Sequence, residues 1–260
     1  MKRWTALLLL ALGVSGVQAH DTWFEALPTS SPGELRLALG TGNRFPVHEM
    51  SIGGASVEVA QCRGADGRNH PLRQQRDGDR ALQLGLRITA GAALSCWAQQ
   101  AQQQLTLAGA SDKIRLYLDE INAPAAVRQR WAGLAARGLP WEERYTKNAR
   151  LEWGASVPQP LPLGLDIVLD GPPPRAGAAL GFVVLRRGQP LAQFAVQLVH
   201  GGSGLGFWLR TDETGRANAT VPLAGPWLLR GTDLRPHPQQ ADAWESDFVT
   251  LAFSVAPAAP

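Results

Sequence analysis

Residues 179–215, ALGFVVLRRGQPLAQFAVQLVHGGSGLGFWLRTDETG, decide the fold class. Three runs of this stretch are rich in β-branched and aromatic residues, and turn residues separate them. The clearest turns are Arg187-Gly188-Gln189-Pro190 and Asp212-Glu213-Thr214-Gly215. Short apolar runs between such turns are typical of antiparallel strands in a β-sandwich. We therefore predict a sandwich in this part of the chain.

The same pattern continues in both directions along the chain. Residues 157–256 also contain the runs GLDIVLD, NATVPL, PWLLRGTDL and DFVTLAFSV, so that seven strands complete one sandwich. Residues 20–110 contain TWFEA, ELRLALGTG, ASVEVAQCR, ALQLGLRIT, SCWAQQ and QLTLAG. The sequence predicts a mainly β protein with two immunoglobulin-like or transthyretin-like sandwich domains, over 20–110 and 157–256.

A helical insert is predicted between the two sandwiches, over residues 111–156. Ser111 is a candidate N-cap for DKIRLYLDEI, and Asn122-Ala123-Pro124 precedes a second helical run, AAVRQRWAGLAARG. Leu139-Pro140 then precedes WEERYTKNARLEW, for which we predict a third helix. The paired carboxylates Asp119-Glu120 and Glu142-Glu143 are expected to be solvated or to be salt-bridge partners on this insert.

The first nineteen residues, MKRWTALLLLALGVSGVQA, are typical of a cleaved signal peptide, with a basic start, a short apolar run and a small-x-small end. We expect a periplasmic protein without a membrane anchor after cleavage. Removal of Lys2 and Arg3 lowers the formal net charge from +3 to +1. The remaining arginines form no basic run, so nucleic-acid binding is not expected.

The two cysteines, Cys62 and Cys96, are too far apart in the sequence for a CxxC redox or zinc motif. Each lies in or beside a strand-like run. In an oxidising compartment such a pair is expected to close, so we predict a structural disulfide.

His20 would become the first residue after cleavage behind Ala19. Its imidazole and its free α-amino group could then chelate one nickel, cobalt or copper ion, and Asp21 could add a carboxylate or orient the ring. The alternative is that His20-Asp21-Thr22-Trp23 is an ordinary first strand with a solvated terminus.

Other side chains are candidate partners of His20. We list His48, His200 and His237 as candidate ligands, whereas His70 is the least promising histidine. No HxH or HExxH spacing occurs, so the sequence pairs none of them. Arg144, Tyr145 and Lys147 form either a site for an anionic ligand or, as we prefer, a clamp between the insert and the second sandwich.

The C-terminal half resembles transthyretin-like and carboxypeptidase-regulatory-like modules through Gly188-Gln189-Pro190-Leu191, Thr211-Asp212 with Gly215, and Ala224-Gly225-Pro226-Trp227. The whole chain resembles the domain-of-unknown-function 4198 family, whose members are described as nickel-uptake-transporter-like. The motifs that carry this resemblance are His20-Asp21-Thr22-Trp23-Phe24, Tyr117 to Glu120, Glu143 to Lys147, Thr211 to Gly215 and Trp244 to Leu251. The resemblance implies periplasmic handling of nickel or cobalt, with an inner-membrane metal transporter as partner.

No motif in the sequence indicates an enzyme, because GxSxG, Walker and dinucleotide-binding patterns are all missing. We expect a non-catalytic protein that binds a transition-metal ion and assists its uptake. The rival hypothesis is a structural or adhesive sandwich module that presents its loops to a protein or glycan. A third is a copper-dependent oxidase, which would need a second histidine facing His20.

Overall fold

The computed structural model describes residues 20–109, 111–155 and 158–258. The predicted signal peptide, residues 1–19, lies outside these ranges. The described chain is mainly β and has two α-helices, α1 (Ser111–Glu120) and α2 (Ala125–Ala136). A short 3-10 helix spans Gly54–Ser56. No helix among the described residues is long and apolar enough to cross a membrane.

The strands form three sheets of five, nine and four strands. In chain order they are β1 (Asp21–Leu27), β2 (Glu34–Gly42), β3 (Met50–Ser51), β4 (Val57–Gly64), β5 (Asn69–Pro71), β6 (Arg73–Asp77), β7 (Ala81–Arg87), β8 (Leu94–Gln100), β9 (Gln103–Leu107), β10 (Trp141–Trp153), β11 (Leu165–Leu169), β12 (Ala179–Arg186), β13 (Gln189–Pro190), β14 (Ala195–His200), β15 (Gly206–Arg210), β16 (Arg216–Thr220), β17 (Gly225–Pro236) and β18 (Trp244–Val255).

The nine-stranded sheet runs through both halves of the chain, in the order β15-β14-β17-β18-β10-β8-β4-β5, with β9 also paired to β10. Strands β10 and β18 join the halves by parallel pairing, with Glu143 opposite Trp244 and Leu151 opposite Ala252. The predicted domain boundary at residue 157 therefore falls between strands of one continuous sheet.

The predicted third helix over residues 141–153 is wrong, because this segment is strand β10. Its local composition is rich in Glu, Arg and Lys, which favours a helix when contacts with other strands are not considered. Pairing with β18 on one side and with β8 and β9 on the other satisfies its backbone groups in a sheet instead. The helical part of the insert thus ends at Ala136.

The other two sheets and the helices cover the nine-stranded sheet from both faces. Neighbouring residues of β18 show this arrangement, because successive side chains of a strand point to opposite faces. Leu251 packs into the core below the four-stranded sheet, whereas Ala252 packs into the core below the five-stranded sheet. Phe248 packs beneath α1 and α2, together with Trp141 and Trp244. The prediction of a mainly β protein with sandwich packing is confirmed.

The predicted disulfide between Cys62 and Cys96 is confirmed. The two residues lie opposite each other on β4 and β8, and both are fully buried in the core below the five-stranded sheet. The disulfide therefore links two adjacent strands at the centre of the N-terminal sandwich.

A buried ion cluster fastens the proline-rich segment, described from Pro158 onward, to the sheet. The guanidinium of Arg150 is fully buried and contacts the carboxylates of Asp166 and Glu152 at 2.9 Å and 2.7 Å. It also donates to the carbonyl of Gln159 at 3.0 Å, while Asp166 accepts the backbone N–H of Leu161 at 2.9 Å. The connection between the two halves is thus held by charged groups that are excluded from water.

Candidate metal centre at the start of the first strand

His20 lies immediately before β1 and faces a carboxylate. Its Nε2 atom stands 3.8 Å from Oε2 of Glu49, and 23% of its side chain remains exposed. Glu49 reaches this position because the chain reverses after β2 and returns beside it, so that the Glu49 N–H donates to the carbonyl of Thr41 at 2.8 Å. The side-chain amide of Asn43 donates to the same Glu49 oxygen at 2.9 Å and holds the carboxylate in place.

The backbone around His20 is fixed by long-range contacts. The ammonium of Lys147, on β10, donates to the carbonyl of His20 at 2.6 Å. The next residue, Asp21, is buried and paired with Arg230 on β17, and Thr250 on β18 donates to the carbonyl of Thr22. Three strands from both halves of the chain therefore hold the beginning of β1.

The electrostatic surroundings favour a neutral His20 ring. Burial lowers the pKa of His20, and the Lys147 cation lowers it further, while Glu49 and Asp21 act in the opposite direction. Burial also lowers the pKa of Lys147, whose ammonium lies 5.6 Å from the ring centre of Phe248. A neutral imidazole has a lone pair available for a metal ion.

His48 is a buried histidine that supports the core. Its ring stacks on Trp23 with 5.1 Å between centroids, and its Nε2 atom lies 3.1 Å from the Trp23 carbonyl oxygen. Its Nδ1 atom lies 3.8 Å from the carboxylate of Glu25. Burial lowers the pKa of His48. The ring thus holds the loop before β3 against β1.

The rings of His200 and His237 have other partners. In His200, Nδ1 contacts the Ser203 hydroxyl at 2.9 Å and Nε2 contacts the Ala224 carbonyl at 3.0 Å, so both nitrogens join neighbouring loops. His237 lies just after β17, and its Nε2 atom is 3.2 Å from the Arg144 guanidinium. Both rings therefore have hydrogen-bond roles in the structure.

Within the described residues, none of the predicted partners His48, His200 and His237 faces His20, and the side chain that does face it is Glu49, which the sequence analysis did not name as a ligand. Within residues 20–109, 111–155 and 158–258, no group of three or more His, Cys, Asp and Glu side chains could hold a metal ion. In the same ranges, His48, His200 and His237 make no hydrogen bond, ion pair or ring contact with His20, and Asp21 is directed to Arg230.

Arg144 is separated from Tyr145 and Lys147, because β10 is a strand and successive side chains point to opposite faces. Tyr145 and Lys147 share a face, with the Lys147 ammonium 5.7 Å from the centre of the Tyr145 ring. Lys147 reaches His20, and the Tyr145 ring packs edge-on against Phe248 at 6.0 Å between centroids. Arg144 lies on the other face and contacts His237.

Glu143 is the important residue that the sequence prediction misplaced. It is 3% exposed rather than solvated, and it accepts hydrogen bonds from Tyr117 at 2.9 Å, Trp141 at 2.8 Å and Ser246. Its donors come from α1, β10 and β18, so this carboxylate ties the helices to the sheet. The sequence signal was the alternation of apolar and polar residues along β10, which is visible once the segment is interpreted as a strand.

Substitution of Glu143 by glutamine is expected to change the pH dependence of stability. Burial raises the pKa of Glu143 above its ordinary value of 4.5, so the folded protein binds a proton more tightly than the unfolded chain. This contribution to stability is present at low pH and is lost as the pH rises through the raised pKa. In Glu143→Gln the contribution disappears.

Urea denaturation of both proteins at a series of pH values from about 4.5 upward measures the effect. The difference in unfolding free energy between them is expected to vary with pH and then to level off. A difference that stays constant across the range would show that Glu143 does not titrate there. The matched control is Glu142→Gln, at the neighbouring residue that faces away from this cluster.

Comparison with known proteins shows only distant likeness. No family model and no curated protein matches the chain. Among solved structures, it is similar to the FN1–FN3 domains of chicken CNTN1, with 9% identity, 93% of this chain and 67% of that chain covered, and a TM-score of 0.21. It is also similar to the D0–D1 domain of intimin, with 11% identity, 91% and 97% coverage, and a TM-score of 0.22. Likeness at these TM-scores says nothing of function.

Proposed function

We propose that this chain is a periplasmic, non-catalytic protein that binds one transition-metal ion at its processed N-terminus and passes it to an inner-membrane transporter. Nickel or cobalt is the expected cargo, and copper is a further candidate. The observation that carries the proposal is the His20 ring, 3.8 Å from Glu49 at the predicted cleavage point.

The donor set suits a borderline metal ion. Cleavage behind Ala19 gives His20 a free amine, which can chelate an ion together with Nδ1 of the same ring. Nitrogen donors of this kind suit nickel, cobalt and copper, and two protein donors leave positions for water or for a ligand from another protein. Glu49 faces Nε2, the other ring nitrogen, and acts as the outer partner that orients the ring, while Asn43 holds its carboxylate.

Pre-organisation supports the same proposal. Lys147, Arg230 and Thr250 already hold the first three residues of the mature chain. A ligand that is fixed before binding loses less conformational entropy when the metal arrives. The Lys147 cation opposes the approach of a second cation, which is consistent with a site that releases its cargo.

Isothermal titration of the protein that begins at His20, against nickel, cobalt and copper, tests this proposal. We expect one ion per chain. Glu49→Gln and a form with one alanine before His20 are each expected to weaken binding by roughly ten- to hundredfold.

The matched control is Glu25→Gln, because Glu25 stands at the same 3.8 Å from a different histidine, His48. It is expected to leave metal affinity unchanged. Unchanged affinity in the alanine-extended form would show that the terminal amine is not a ligand, and the proposal would be wrong. Mass spectrometry of the exported protein establishes separately whether cleavage occurs at His20.

A further inference from the structure

A wide cleft lies on the five-stranded sheet, formed where β6 and β7 meet the beginning of β2. Its volume is about 1110 Å³. Strand β6 is an edge strand of this sheet, and all five residues of β6 are exposed. The residues that matter for its chemistry are Glu34, His70, Arg73, Gln74, Gln75 and Arg87, which line the cleft. We call it the arginine cleft.

The two arginines of the arginine cleft have no protein partner. Within the described ranges, neither Arg73 nor Arg87 makes an ion pair or a side-chain hydrogen bond. Most arginines elsewhere are engaged, as Arg36 is with Gln83 on the same sheet and Arg216 is with Asp170. Two exposed guanidinium groups are therefore available to a ligand in this cleft.

The local packing keeps Arg87 free. Glu34 lies directly opposite Arg87 in the pairing of β2 with β7, and would be its natural partner. The carboxylate of Glu34 instead accepts a hydrogen bond from the Gln75 amide at 3.1 Å. Gln75 can reach it because Gly85 has no side chain, and a Cβ there would lie 2.1 Å from the Gln75 amide nitrogen. Glycine at position 85 thus directs Gln75 to Glu34 and leaves the guanidinium unpaired.

The chemistry of the cleft selects a class of ligand. Guanidinium groups bind carboxylates in a bidentate manner, and the amides of Gln74 and Gln75 can bond hydroxyl groups. The lining combines polar and apolar surface in about equal parts, which suits a sugar, because a sugar ring presents C–H faces beside its hydroxyl groups. We propose that the arginine cleft binds an acidic oligosaccharide, with uronate carboxylates on Arg73 and Arg87 and sugar hydroxyls on the glutamines.

Titration with tetragalacturonate, followed by calorimetry at fixed ionic strength, tests this proposal. The wild-type protein is expected to bind it, and the fully methyl-esterified tetramer, which lacks the charges, is expected not to bind. Arg73→Gln combined with Arg87→Gln is expected to weaken binding by roughly tenfold or more, because each removes a charge-assisted hydrogen bond.

The matched control combines Arg76→Gln with Arg80→Gln on the same hairpin. Both residues are exposed and lie outside the lining of the cleft, and the net charge changes equally. This variant is expected to bind like the wild type. Equal loss in both double variants would show general charge attraction and overturn the proposal, as would no binding by the wild type.

An oligothymidylate of the same charge serves as a second probe. Binding of this probe as tightly as the uronate, with the same dependence on Arg73 and Arg87, would overturn the assignment to sugar. Circular dichroism of each variant excludes loss of folding as the cause of a weaker signal. The outcome does not depend on the metal site, since His20 lies outside the cleft lining.

Discussion

Replacement of Arg150 by methionine is expected to lower the free energy of unfolding by about 3 to 5 kcal/mol. The guanidinium and its partners Asp166 and Glu152 are at most 2% exposed, so no water replaces the lost cation. Burial raises the pKa of Asp166, and the Arg150 charge opposes this effect. Without Arg150 the two carboxylates must take up protons or remain charged in the interior, and either change destabilises the folded state.

Urea denaturation of Arg150→Met and of a matched variant measures this loss. The matched variant is Arg216→Met, which removes an exposed ion pair with Asp170. Exposed pairs contribute about 1 kcal/mol or less, so this variant should unfold near the wild-type midpoint. If both variants lose the same small amount, the buried cluster does not stabilise the fold.

Reduction of the disulfide is expected to have the next largest effect. Cys62 and Cys96 are 34 residues apart in the sequence, and a closed loop of this length stabilises a protein by about 3 to 4 kcal/mol in the chain-entropy model. Both cysteines lie in the core below the five-stranded sheet, so reduction is expected to destabilise the N-terminal sandwich.

Urea denaturation of the native protein with and without a thiol reductant gives the size of the effect. A variant with both cysteines replaced by alanine controls for effects of the reductant itself, because its midpoint should not move. Coincident midpoints for the oxidised and reduced native protein would contradict the prediction.

Strands with clear alternation and clear turns could be predicted from sequence. The run ELRLALGTG coincides with β2, and the turns at Arg187 and Asp212 separate strands as expected. The two helices α1 and α2 were also visible, from their apolar spacing and the proline before α2. These features depend on neighbours in the sequence, so local reasoning is sufficient for them.

Residues 141–153 show where local reasoning fails. Their composition favours a helix, but their hydrogen-bond partners include β18, about a hundred residues away. The same error affected Glu143. This residue was expected on the surface of a helix, but it is buried in a sheet. Tertiary contacts override weak local propensity in such segments.

The candidate sites, like the fold, could be predicted from the sequence only where they depend on local features. The sequence singled out His20 through its place behind the predicted cleavage point, which needs no structure. It could not show that Glu49 faces His20, because this contact depends on how the chain returns beside β2. The arginine cleft was hidden for a similar reason, since Arg73, Gln75 and Arg87 meet only through the pairing of β6 with β7.

The parallel pairing of β10 with β18 has a consequence for the order of assembly. Synthesis delivers a chain from its N-terminus, so β10 emerges about a hundred residues before its partner. Until then the earlier half carries an open sheet edge, which is the part of a β protein that most readily joins another chain. A truncation that removes β18 should therefore cause the N-terminal half to aggregate, although no residue of that half has been altered.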